Sequence, residues 1–102
     1  MAGETTLRLE PELVAVLSDL VERHYTATRW RSRPGAPPPD EVLWVRANAR
    51  RGMGLEAKAS TVVLERLRQT IRWCGDQNQV GIESRAWLER LLTAIDTAGP
   101  PA

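Results

Sequence analysis

Four prolines and one glycine crowd into "RSRPGAPPP", residues 31–39. Proline has no amide hydrogen to give to a helix or a ladder, and it biases the residue before it towards extended backbone. No regular element passes through this stretch. The stretch must be a turn or an extended connector between helices, within 102 residues that can bury one modest core.

Before the connector, Pro11 suits the first position of a helix, where its missing amide is not needed. Leu13, Val14, Leu17, Leu20 and Val21 then recur at spacings of three and four, an apolar stripe on a helix reaching about Arg29. After the connector, Asp40 is a suitable N-cap for a helix from about Glu41 to Arg51, with Val42, Val45, Ala49 and Met53 inward. "GMG", residues 52–54, breaks the chain again. A third helix from Leu55 to Cys74 places Ala59, Val63, Leu64, Leu67, Thr70, Ile71 and Cys74 on one arc, and Gly75 stops it. A fourth, from about Glu83 to Ala98, buries Trp87, Leu88, Leu91, Leu92, Ile95 and Ala98. These patterns predict a single all-α domain, a bundle of about four helices with a loose N-terminal segment over residues 1–9, a short strand there being the alternative, and a tail over residues 99–102. No internal repeat is evident at a period of ~20 to 50 residues.

Fourteen basic residues against thirteen acidic ones leave a net charge of +1, so a polyanion can be held only by a local patch. Thirteen of the fourteen cations are arginine, the usage of a GC-rich genome, bacterial or phage. One cysteine excludes an internal disulfide framework, and no apolar run approaches the ~18 residues of a membrane span. With no signal-peptide pattern at the start, a cytoplasmic protein is expected.

One His and one Cys do not make a typical zinc site, and neither a cofactor nor a small-molecule substrate is implied. Cys74 falls on an apolar arc and reads as a buried, inert thiol. His24 projects near the middle of the first helix's apolar stripe and reads as a half-buried core histidine, a partner-facing or pH-sensing group being the alternative. "GMGLEAKAST" is not a phosphate loop, because Lys58 does not follow a glycine and the preceding segment reads as helix. An enzyme is not expected.

Two routes lead to DNA. "TTLRLEPELVAVLSDL", residues 5–20, resembles the start of the ribbon-helix-helix repressors, whose short strand pairs with a partner's strand and reads the major groove. The resemblance implies a dimer, with Thr6, Arg8 and Glu10 towards DNA and Leu7 and Leu9 towards the core. In the second route, the helices at 41–51 and 55–74 form a helix-turn-helix-like unit through "GMG". Lys58, Thr61 and Arg68 would then face bases or phosphates, with Arg46, Arg50 and Arg51 on the backbone. The rival class is a protein-protein interaction module, or a homodimer, using Trp30 and Trp44 as anchors. The expectation is a small regulatory protein that binds DNA, with protein binding as the alternative.

Because residues 29–39 are poor in groups able to form regular structure, brief trypsin treatment should cut first at the arginines of this stretch. Mapping the earliest fragments by mass spectrometry checks this. First cuts inside 58–72 would contradict it.

Overall fold

The structure is a computed structural model and describes residues 4–29, 34–50, 52–77 and 82–98. The elements run β1 (Glu4–Leu9), α1 (Pro11–Thr28), α2 (Asp40–Asn48), β2 (Leu55–Ser60), α3 (Thr61–Asp76) and α4 (Ile82–Thr97). Helix dominates, as the periodicities predict, but the fold is not all-α. β1 and β2 pair antiparallel in a two-stranded sheet, so the N-terminal segment from Glu4 to Leu9 is a paired strand rather than a loose lead-in.

The third helix begins at Thr61, not Leu55. Ala57, Ala59, Glu56 and Lys58 all favour helix in isolation, but tertiary pairing overrides such weak preferences. Leu55 and Ala59 are buried while Glu56 and Lys58 are exposed, the period of two that a half-covered strand requires. Ser60 then caps α3, its hydroxyl accepting from the Val63 amide at 3.1 Å. The turn before β2 explains "GMG". Gly52 has φ +79°, and a Cβ on Gly54 would stand 3.1 Å from the Leu9 carbonyl oxygen, so each glycine meets a separate constraint. Met53 is exposed there and does not join the inner stripe of α2. Asp40 is the first residue of α2 rather than its cap, the capping position being Pro39, whose carbonyl accepts from the Val42 and Leu43 amides.

Strand and helices together form an internal repeat that is not evident in the residues. The order β-α-α occurs twice, and Leu7 pairs with Ala57. Shifting the first half by fifty positions carries Leu7 onto Ala57, Leu9 onto Ala59 and the buried set Leu13, Val14, Leu17, Leu20, Val21 onto Val63, Leu64, Leu67, Thr70, Ile71. All ten helical positions are buried. Since Leu7 faces its own counterpart, an approximate twofold axis passes through that pair. The side chains do not repeat at this period, but the order of elements and the burial pattern do.

The halves interleave. α1 and α3 pack on each other, α2 lies against β2, and α4 lies against β1. One hydrophobic core results, running from Leu7 and Leu9 through Leu17, Leu67 and Ile71 to Leu91 and Ile95.

Leu17 and Leu67 are pseudo-equivalent and both 0% exposed. Leu17→Ala and Leu67→Ala should each destabilise the protein by about 2–5 kcal/mol. Because the core is shared, both variants should unfold in one transition in urea. A two-step curve, with each variant weakening a different step, would refute the shared core.

Candidate functional site

The ribbon has two unlike faces. Leu7, Leu9, Leu55 and Ala59 point into the core. Between them, Glu4, Arg8, Glu56 and Lys58 are exposed on the other face, with Thr6 and Ser60 partly so. Register sets Thr6 opposite Lys58, Arg8 opposite Glu56 and Glu4 opposite Ser60. Arg8 and Lys58 are also counterparts under the twofold relation, so the axis places one cation on each strand. Arg8 lies 3.5 Å from Glu56, and both side chains are mostly solvated, an ion pair too weak to hold either in place. Lys58 is held through its backbone, whose carbonyl accepts from the Trp44 indole at 2.8 Å.

That hydrogen bond changes the standing of Trp44. Expected as an anchor for a partner, it is half-buried and fastens α2 to β2 within the chain. Trp30 lies outside the described residues, as does Arg51.

The helix-turn-helix arrangement is corrected by the strand at Leu55–Ser60, which puts a ribbon where the recognition helix would begin. Its expected residues scatter. Lys58 is on the ribbon, Thr61 is the first residue of α3, and Arg50 is exposed in the turn after α2. Arg46 is engaged elsewhere: it donates to both carboxylate oxygens of Glu22 at 2.8 and 2.9 Å and lies over the Tyr25 ring. That hydrogen bond holds the Glu22 carboxyl below its usual range. Arg68 donates to Asp96 at 3.0 and 2.7 Å and also pairs with Glu65, joining α3 to α4. Glu10, which the resemblance turns towards DNA, stands past the end of β1 and pairs with Arg90 of α4.

Cys74 is fully buried, and its thiol donates to the Leu20 carbonyl at 3.6 Å. Burial pushes its pKa up to about 11, which removes the thiolate needed for nucleophilic or metal chemistry. His24 is half-buried, edge-on to Trp73 with ring centroids 4.9 Å apart. Among the described residues no group of three or more His, Cys, Asp and Glu comes together to hold a metal. Among them, too, no helix is long and apolar enough to cross a membrane. The chain matches no family model, no curated protein and no solved structure.

Desolvation lowers the His24 pKa from 6.5, and the nearby Glu41 charge opposes that shift. The folded state therefore binds the proton less readily than the unfolded one. The contribution of His24 to stability is full above about pH 6.5 and is eroded as pH falls below it. NMR titration of the ring should give a folded pKa under the unfolded value, and Glu41→Gln should lower it further. A value at or above that of the unfolded chain contradicts the desolvated environment.

Proposed function

We propose that the protein is a non-enzymatic regulator that binds DNA by laying its two-stranded ribbon in the major groove. It is, on this reading, a ribbon-helix-helix-type protein with both halves in one chain. The observation that carries the reading is the polar outer face of β1 and β2, where Arg8, Glu56 and Lys58 are exposed and Thr6 partly so, on a ribbon whose other face is turned into the core. A major groove about 12 Å wide admits such a ribbon, and its base edges are read by these side-chain types. Arg8 and Lys58 donate to guanine, and Glu56 accepts from cytosine. The strand pairing that a repressor dimer obtains from a second copy is supplied here by β2, so the ribbon forms within one chain.

Two consequences follow from the charges and from the unlike halves. Arg8 and Lys58 are balanced on the ribbon by Glu4 and Glu56, and the chain carries only +1, so attraction to phosphates is small and base contacts carry most of the affinity. Operator symmetry mirrors protein symmetry. Thr6 has Glu56 as its counterpart, so the two half-sites differ and the operator is not a palindrome.

A protein-binding role remains the second reading, favoured by Leu43, Met53 and Val62, large apolar side chains that are exposed.

Binding to a pool of duplexes, followed by fluorescence anisotropy on the selected sequence, tests the first reading. Arg8→Ala and Lys58→Ala should each cost about 1–3 kcal/mol on that sequence and relax the preference at different base pairs. Arg50→Ala should weaken all sequences alike and flatten the salt slope by about one unit or less. No binding at low salt overturns DNA recognition and leaves the apolar surface as the functional one.

A further inference from the structure

Away from the ribbon, the C-terminal part of α1, the start of α2 and one side of α3 enclose an open groove of about 800 Å³. Glu41 lines it from the first turn of α2, only 6% exposed. Its Oε1 is shut off from water and receives no hydrogen bond. Arg66 of α3 brings Nη1 to 3.6 Å, an ion pair without a hydrogen bond, and its side chain is half exposed. A carboxylate oxygen buried without a donor is strongly disfavoured, so such groups are satisfied by protein, water or a ligand.

The fold itself does not demand this polar set, because the molecule contains its own control. The shift of fifty positions places Leu20 where the groove has Thr70, Val16 where it has Arg66, and Cys74 where it has His24. On the second helices, Arg46 stands against Glu22 and Tyr25, and Leu92 shares a surface hollow with their counterparts Arg72 and Gly75. Matching Arg46 with Leu92 sets Trp87 at the position of Glu41. Trp87 packs against the hydrophobic core. One side of the pseudo-symmetric domain is therefore finished with Leu, Val, Cys and Trp, while the other holds Thr, Arg, His and a buried Glu around open space.

We propose that this groove binds a small organic cation with N–H donors, an alkylammonium or alkylguanidinium, whose head group donates to Glu41 Oε1. Arg66 swings out to admit it, since among the described residues the long ion pair is the contact that holds the guanidinium over that oxygen. Glu65 in the lining is already paired with Arg68, so Glu41 is the acceptor offered to the head group, and Val62 and Trp73 offer apolar and aromatic surface to the ligand's alkyl stem. The site is independent of the ribbon and stands whether or not the ribbon binds DNA.

The full chain titrated with agmatine, a dication that carries both head groups, tests the proposal, with tetramethylene-bis(trimethylammonium), also a dication on a four-carbon chain, as an equally charged control lacking N–H donors. Agmatine should raise the melting midpoint and shift the Trp73 indole and His24 ring resonances saturably, and the bis-quaternary dication should do neither. Glu41→Gln should weaken agmatine binding at least tenfold. Arg66→Ala, which removes the competing guanidinium, should melt lower than the parent and bind agmatine more tightly. Equal responses to the two cations, no saturable shift at Trp73, or unchanged affinity in Glu41→Gln would overturn the proposal. Should Glu41→Gln fail to fold, the donor comparison in the parent chain and the direction of change in Arg66→Ala decide the matter.

Discussion

The antiparallel pairing of β1 with β2 about Leu7 and Ala57 is the constraint on which the other elements depend. An isolated two-stranded ribbon is marginal in water and needs one face covered. Here Leu7, Leu9, Leu55 and Ala59 supply that face, and α1 and α3 leave the ends of the two strands at once, through Pro11 and Ser60. Fixing the ribbon therefore fixes where both helices start and brings the stripe from Leu13 to Val21 against the stripe from Val63 to Ile71. The second helices close the structure by crossing over, as the Trp44 bond to Lys58 and the Glu10 pair with Arg90 show. Each half covers part of the other.

How much of this was legible in the sequence depended on whether the signal was local. α1 announced itself through Pro11 and a stripe whose five members are all buried. β1 was hinted at by Leu7 and Leu9, large residues two apart. β2 was hidden because its inward residues include two alanines and its outward ones are Glu and Lys, all good helix formers. The ladder with the distant residues Glu4 to Leu9 makes it a strand. The repeat was hidden for a related reason: burial is shared while identities are not, as with Leu20 and Thr70, and the stretch between the helices is longer in the first half than in the second.

The candidate site divides along the same line. Thr6, Arg8 and Lys58 could be picked out, the first two from a strand-like resemblance and Lys58 as an exposed cation, although it was placed on the wrong element. Arg46 and Arg68 looked equally available, because their acidic partners Glu22 and Asp96 lie more than twenty positions away and no local pattern reveals them. Glu41 carried no signal at all. An acidic residue in the first turn of a helix is ordinary, and only the approach of α3 turns it into a buried carboxylate.

Joining the halves in one chain also changes what evolution of the sequence can do with the fold. In a symmetric homodimer every substitution appears twice, so an acid at the place of Glu41 would replace Trp87 as well, and the core would lose its packing on both sides. A covalent connection removes that coupling and makes the association of halves intramolecular, at an effective concentration that for short flexible linkers is on the order of millimolar. One side of the domain can then keep the apolar residues that stabilise the shared core while the other side, built from both halves, places His24 and Glu41 of the first half and Arg66 and Thr70 of the second around a groove. The same freedom lets Thr6 and Glu56 differ on the ribbon. The polar groove and the uneven ribbon are thus two consequences of one arrangement, in which stability is secured jointly and chemistry is varied on one side at a time.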